Sequence, residues 1–467
     1  MKISGMMIIF LFLLVSSSVC SAEINSDLEK ITLQKAVIFG LENNHDYKLA
    51  VSKLNQADEK VKAAWSQLMP VLESEASATR QYADTGVMSL SDGQYDFKLV
   101  QLKFAINPGV FYNSLQAAGN AYASAKADVA RIKNDIEFSV IQNYFRILLS
   151  RETVELRRES VEVLKQNLKD VQSLYKTGSI SKLELLQAQV QLKNQEPLLL
   201  EAENSYKTSL DVFNYTLGVK ENTFIPDEGI LSEKVMEVNE KYMDKDTEKL
   251  VEIAMKNRPE IIQLESKKEI AENSKSMNSS YYLWPTFSIS GSYGYTKFLP
   301  NEVDLGISGP FSPDLSQISG NDEWQNTWQI RAAATYQWGA LLPSDKSRAD
   351  ERENSEKIKE ASEELVKLRH LIVISINSSY LKLCSSYITI QSQKENVAMA
   401  QEGLRIARES YRAGLIKNSE LLNADLSLTT AKTGYINAIN SYYIAAAELK
   451  KETGADVMSI VGKGDEK

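Results

Sequence analysis

The chain has 467 residues, with 53 Lys and Arg against 62 Asp and Glu, and a formal net charge of −9. This acidic balance excludes nucleic acid as an expected partner, because nucleic-acid binding needs a basic surface. The two histidines, His45 and His370, stand far apart without a metal-ligand spacing, and no nucleophile–His set or phosphate loop is present. We therefore expect no cofactor, no metal site and no enzyme activity.

Residues 1–22 have the pattern of a secretory signal peptide. Lys2 supplies the positive charge, and residues 6–15 form an apolar stretch shorter than the about 20 residues of a membrane span. Small residues then lead to a predicted cleavage site after Ala22. Lipidation at Cys20 is the alternative processing, although residues 17–19 match that pattern poorly. Cys384 lies in a helical pattern and is expected to be a small apolar packing residue.

A helical pattern covers residues 31–69, with a cap at Thr32, a break at 43–45 and an end at Pro70. After the proline the apolar period changes from 3.6 to 2, which predicts strands over 71–82 and 94–106. The adjacent Leu99 and Val100 shift the alternation and predict a β-bulge. The second half has the same order: a helical pattern over 246–283 broken at 257–260, then strands over 286–298 and 324–338.

These strands are long enough to cross a membrane when tilted. Aromatic residues stand at both ends of the last strand, as in the two girdles of an outer-membrane barrel: Trp324, Trp328, Tyr336 and Trp338. Half of an ordinary β-sandwich is the alternative for strands alone. Four strands cannot close a barrel, and open edges are prohibitive in lipid. In a membrane the strands must therefore be shared between chains.

Two very long helices are predicted over about 110–176 and 342–412, each about 100 Å long. Near their ends the apolar residues follow a heptad, which indicates coiled-coil packing: Val161, Leu164, Leu168, Val171 and Tyr175, and Val397, Ala400, Leu404, Ala407 and Tyr411. Shorter helices return over 182–217 and 418–453 and cover the lower half of each long helix. Pro197 predicts a local break in the first of them.

The chain contains an internal repeat, because residues 168–192 and 404–428 match in step at an offset of about 236 residues. Tyr175 and Tyr411 each precede a glycine by three residues, and that glycine is the expected left-handed end of a helix. We define repeat 1 as residues 31–218 and repeat 2 as 246–454, joined by a polar linker over 219–245 and followed by a tail over 455–467. The first tip is residues 175–181 and the second tip is residues 411–417.

Taken together, two copies of helix, proline, strand, loop, strand, long helix, Tyr-x-x-Gly and returning helix resemble the TolC-like outer-membrane efflux protein family. The resemblance implies an α+β membrane protein: a homotrimer whose twelve strands, four per chain, form an outer-membrane β-barrel continued by a periplasmic α-helical barrel. It also implies contact with outer-membrane lipid. The implied function is an exit channel for small molecules or proteins, working with a periplasmic adaptor and an inner-membrane RND, ABC or MFS pump.

The resemblance also suggests roles for residues at the two tips. A pattern of small residues around each glycine would dock the adaptor: Thr177, Gly178, Ser179, Ala413, Gly414 and Leu415. The periplasmic gate would use Tyr411, Glu420, Asn423, Glu184 and Gln187. Asn423 stands where a second acidic ring is expected, and Ile416 replaces the arginine of the latch, so that ion pair cannot form. Alternatively, Glu184 and Glu420 only complement helix dipoles and Tyr411 only packs in the coiled coil.

A function from another class is a non-conducting periplasmic coiled-coil structural protein. The long helices fit it, but a water-soluble rod has no use for strands with one aromatic face.

Overall fold

The computed structural model describes residues 29–84, 89–220, 223–227, 243–298, 302–304 and 323–455. The predicted signal peptide with Cys20, most of the predicted linker, parts of the two predicted loops and nearly all of the predicted tail lie outside these residues.

The first half contains eight elements in its described residues. They are β1 (Glu29–Ile31), α1 (Leu33–Asn43), α2 (His45–Ser66), β2 (Val71–Asp84), β3 (Ser89–Ile106), α3 (Pro108–Lys176), α4 (Lys182–Thr216) and β4 (Phe224–Pro226). β1 and β4 pair in parallel, which the sequence did not predict, and β4 lies inside the predicted linker.

The second half repeats the order of the main elements. They are α5 (Met243–Asn257), α6 (Pro259–Leu283), β5 (Thr286–Phe298), β6 (Glu302–Asp304), β7 (Gln325–Thr335), a short 3₁₀ helix (Trp338–Leu341), α7 (Lys346–Arg412) and α8 (Asn418–Thr453). At 69 and 67 residues, α3 and α7 are each about 100 Å long.

Local signals explain most helix boundaries. The side chain of Asn44 accepts a hydrogen bond from the Asp46 amide and caps α2 after the predicted break. Thr32 occupies the predicted N-cap of α1 but makes no side-chain cap bond. Asn107 caps α3 by accepting from the amides of the next helical turn, and Pro108 takes the first helical position, where no amide hydrogen is needed.

Three predicted boundaries and one predicted break were wrong. β3 begins at Ser89 instead of 94, because it pairs with β2 as far as Asp84. α7 begins at Lys346 instead of 342, because Pro343 lies in the preceding turn and Asp345 caps the helix through the Ser347 amide. β7 ends at Thr335 instead of 338, where the chain turns into the 3₁₀ helix. No break occurs at Pro197, because α4 runs through it.

The continuity of α4 has a physical explanation. Pro197 and the residue whose carbonyl it leaves without a helical partner, Lys193, are both exposed, so water can hydrate that carbonyl. On either side, Leu192 and Ala202 are buried. Arg157 of α3 also donates to the side chain of Gln195, at 3.4 Å. Packing against α3 therefore offsets the lost backbone bond.

The main sheet has the antiparallel order β2-β3-β5-β7, and β6 pairs with the far end of β3. The register shifts between Lys98 and Val100, so the predicted bulge at Leu99 is confirmed. With the bulge included, the sheet has one apolar face and one polar face. Among the strands that the structure describes, none lies beside the outer edges of β2 and β7.

Each long helix packs against shorter helices that follow one another along its length. Ile136, Val140, Ile147 and Leu148 of α3 pack with Phe213 of α4 and Ala36 of α1. In the second half, Ile372, Ile376 and Leu383 of α7 pack with Leu250 of α5 and Tyr442 of α8, and Cys384 is buried in the same cluster as expected. Phe145 and Tyr443 stack with 4.5 Å between their ring centres and join the two halves.

Near the middle of the molecule, the two halves make matching contacts between the ends of their helices. Gly218 and Gly454 end α4 and α8 with φ of 80° and 65°. Each glycine lies against the break between the two helices of its own half. The Asn44 amide donates to the Thr216 carbonyl at 2.9 Å, and the Arg258 guanidinium donates to the Glu452 carbonyl at 2.8 Å. The helices before and after the strands are thereby fixed end to end on the long helix.

Candidate functional site

The two tips have the same backbone. Gly178 and Gly414 have φ of 75° and 73°, and the amide one residue beyond each glycine donates across the turn to the carbonyl of Leu174 or Ser410, at 2.9 Å in both cases. These are the bonds of a Schellman motif. No atom lies within 4 Å of a Cβ placed on either glycine, so the positive φ alone requires glycine here.

The six predicted docking residues are all exposed at these tips. Their chemistry differs between the two copies. In the first tip the Thr177 hydroxyl donates to the Leu174 carbonyl at 2.9 Å and lies 3.0 Å from the Ser179 hydroxyl, so its polar groups bond to one another. The second tip presents Ala413 and Leu415, and Leu415 is 78% exposed. The second tip therefore offers the apolar contact.

Two of the predicted gate residues come together across the hairpins. Tyr411 is half-buried at the end of α7; burial raises the pKa of its phenol, and the nearby carboxylates of Glu184 and Asp170 raise it further. The phenol of the second repeat therefore lies near an acid of the first repeat. The structure also supports the simpler reading of the acids, because Glu184 and Glu420 lie in the first turns of α4 and α8.

Two of the remaining gate residues line a groove between α4 and α8. The groove has a volume of about 400 Å³ and is lined by Leu183, Leu186, Gln187, Val190, Gln191, Asn418, Ser419, Leu422 and Asn423. Gln187 and Asn423 thus line one concave surface, whereas Glu420 is exposed nearby without lining it. This lining contains amides, the Ser419 hydroxyl and aliphatic groups, and no charged side chain.

The sequence did not reveal a polar contact between the repeats near the tips. The amides of Asn167 on α3 and Asn418 on α8 each donate to the other, at 2.8 and 3.0 Å. Asn418 is 3% exposed. The available signal was an asparagine at the first position of a helix that faces another helix, but its partner lies 251 residues away.

Asp425, one helical turn beyond the groove, was also missed. Burial raises the pKa of its carboxyl; Glu159 adds to the rise, and Arg408 and Lys432 oppose it. Lys432 in turn forms an ion pair with Glu159 at 3.3 Å. A charged layer spanning α3, α7 and α8 therefore lies behind the tips.

At the other end of the molecule, the four predicted girdle residues differ in exposure. Trp324, Trp328 and Trp338 are exposed, and Trp328 pairs across the strands with Tyr293. Tyr336 is half-buried, and its hydroxyl donates to the Tyr282 carbonyl at the end of α6. Trp338 belongs to the 3₁₀ helix and not to β7.

The opposite face of the sheet is polar and carries ion pairs. Lys103 pairs with Glu73, and Lys98 pairs with Glu75 at 3.0 Å. Arg331 of β7 has Ser290 as its neighbour on β5, which places it on the same polar face. One side of the sheet therefore suits lipid and the other suits water.

The described part of the chain contains no group of three or more His, Cys, Asp or Glu side chains placed to hold a metal ion. By length and composition one described helix, α7, could cross a membrane, with a window of mean hydropathy 1.2. Its apolar residues instead include the core positions that pack against α5 and α8.

The family description "Outer membrane efflux protein" matches residues 40–214 and 250–455. The chain belongs to the outer membrane efflux protein family. The matched ranges contain the long helices, both tips and the four main strands of this efflux protein, so its similarity to TolC-like channels is confirmed. No curated protein sequence matches it in a direct comparison.

Solved structures of outer-membrane proteins have the same fold. The CmeC outer membrane channel of Campylobacter jejuni superposes with a TM-score of 0.74 at 17% identity, covering 91% of this efflux protein and 86% of CmeC. A membrane protein of Pseudomonas aeruginosa gives 0.73 at 14% identity, with coverages of 92% and 94%. The outer membrane protein VceC of Vibrio cholerae gives 0.69 at 16% identity, with coverages of 91% and 96%.

Proposed function

We propose that three copies of this efflux protein form one exit channel through the outer membrane and the periplasm. The observation that carries the proposal is the two-faced sheet with free outer edges on β2 and β7, which continues into two helices about 100 Å long. A water-soluble structural rod would not need an apolar sheet face that exposes Trp328 and Ile330 at 73% and 74%.

The assembly follows from the order of the elements. Within one chain β2 and β7 are the outer strands, so β7 of one copy would pair with β2 of the next. The free edges are antiparallel to each other, as that pairing needs. Three copies supply twelve strands, a size within the range of known outer-membrane barrels. The polar face with its ion pairs would line the water-filled interior.

The helices would continue the conduit into the periplasm. The tips lie at the end of α3 and α7 remote from the sheet, so they would form the periplasmic mouth. Glu420, exposed in the first turn of α8, would contribute one carboxylate from each copy to a ring that favours cations. Asn423 would form a neutral ring beside it.

The partners would be a periplasmic adaptor and an inner-membrane pump. The adaptor would contact the second tip, because Ala413 and Leu415 offer exposed small and apolar side chains beside Gly414. The pump would be of the RND, ABC or MFS class, and the exported substrate would be small molecules or proteins.

The test is the solubility and size of the full-length protein produced with its own signal. We expect it to require detergent for extraction and to migrate as a trimer that dissociates on heating. Release by osmotic shock as a soluble monomer or dimer would refute the channel and favour the non-conducting structural protein.

A further inference from the structure

The described side chains near the tips include a partly buried polar contact between the two repeats. The Asn167 amide donates to the Asn418 side-chain oxygen at 2.8 Å, and the Asn418 amide returns a bond at 3.0 Å. Asn418 is the first residue of α8 and is 3% exposed. The contact therefore ties the start of the second returning helix to the first long helix.

Apolar residues surround this contact. Val161 and Leu164 of α3, Leu192 of α4 and Leu422 of α8 form one buried cluster, with Leu168, next to Asn167 in the chain, packed against it. A buried amide without a partner is disfavoured, because it loses water and gains no protein bond. Separation of α8 from α3 would therefore leave both amides unpaired unless water reached them.

The pair could take the place of the latch ion pair, which this chain cannot form. Ile416, two residues beyond Gly414, cannot form an ion pair. The amide pair lies at the next helix start and carries no charge. Its strength should change little with salt, unlike that of an exposed ion pair.

We propose that the Asn167–Asn418 pair holds the second tip in its closed position, as an uncharged link between α3 and α8. This inference rests on the proposed channel function. Opening would require both amide bonds to break together, because each asparagine bonds to the other. The two residues would act as positioning residues.

The titratable groups of the neighbouring turns define how a charge at this place would behave. They include the acids Asp170 on α3, Glu184 on α4 and Glu420 on α8, the phenol of Tyr411 on α7, and the cations Lys169 on α3 and Lys417 beside Asn418. Burial at position 418 would raise the pKa of a carboxyl introduced there. Nearby acids would add to that rise, and Lys417 would oppose it. When protonated it could again donate to and accept from Asn167, whereas the ionised form could only accept.

The experiment records single channels of the full-length wild type, Asn167→Ala, Asn418→Ala and the double variant in planar bilayers. We expect each single variant to raise the open-to-closed ratio roughly tenfold. The double variant should match the singles, because either substitution already removes both bonds. Asn194→Ala, an exposed amide on α4, is the matched control and should match wild type.

A second set of variants tests whether the link depends on hydrogen bonds between the two side chains. Asn418→Asp should be open at pH 7.5 and return toward wild-type closure at pH 5, and Asn167→Asp should behave in the same way. Asn194→Asp and wild type set the background pH dependence. Trimers of each variant are first verified by heat-modifiable migration, and Asn167→Asp serves if Asn418→Asp does not assemble.

The possible results distinguish failure of the amide link from failure of the channel function. Wild-type trimers that conduct while all pair variants behave as wild type would overturn the amide link and leave the channel intact. Wild-type protein that never conducts would overturn the proposed function itself.

Discussion

Gly218 offers a direct test of how the two helices of the first half are fixed on α3. Its φ is 80°, and a Cβ placed there would stand 2.5 Å from the Asn43 carbonyl oxygen. Gly178 has nearly the same φ, 75°, but nothing within 4 Å of its Cβ position. The pair of substitutions Gly218→Ala and Gly178→Ala therefore separates backbone strain from collision.

The two substitutions should lose different amounts of folding free energy, because only Gly218→Ala adds a collision. A left-handed alanine costs about 1–2 kcal/mol at either position. At Gly218 the break between α1 and α2 must also move, which adds about 1–3 kcal/mol. Movement of this break would also disturb the hydrogen bond from the Asn44 side-chain amide to the Thr216 carbonyl.

The assay is thermal unfolding of purified protein in detergent, followed by helical circular dichroism. We expect Gly218→Ala to melt several degrees below Gly178→Ala, which itself melts slightly below wild type. Equal losses at the two glycines would refute the reasoning, because they would mean that the contact with Asn43 does not fix the helix junction.

Three further predictions concern the sheet and the mouth. Trp328→Arg should block membrane assembly whereas Gln329→Arg on the polar face should be tolerated; normal assembly of the former would reverse the assigned faces. Arg331→Glu should weaken the trimer on semi-native gels more than Arg331→Lys, since Arg331 lies on the polar face of an outer strand; equal trimer stability of the two variants would exclude an ionic role for Arg331 at that edge. Glu420→Gln should lower cation selectivity in single-channel recordings; unchanged selectivity would remove Glu420 from the gate.

Local sequence signals were sufficient for much of the fold. The start of β5 at Thr286 follows from a proline and a change of apolar period, and the bulge at Leu99 follows from two adjacent apolar residues. The starts of α4 and α8 were predicted because each glycine forces a left-handed turn before them. Such signals depend on neighbours in the chain and need no knowledge of distant contacts.

The remainder depends on contacts between distant segments. The break predicted at Pro197 failed because packing against α3 is invisible in the local pattern. The pairing of β1 with β4 joins residues about 195 positions apart, with Tyr144 donating to the carbonyl of Ile31 at 3.3 Å beside it. For the same reason the sequence predicted roles for single tip residues but did not reveal the hydrogen bond between Asn167 and Asn418.

The most direct measurement of channel function is ion conduction by the purified full-length protein in a planar lipid bilayer, with the mass of the inserted species determined in parallel. We expect a trimer that inserts and conducts in discrete steps. A protein that binds the bilayer without conducting, or that remains monomeric in detergent, would contradict it.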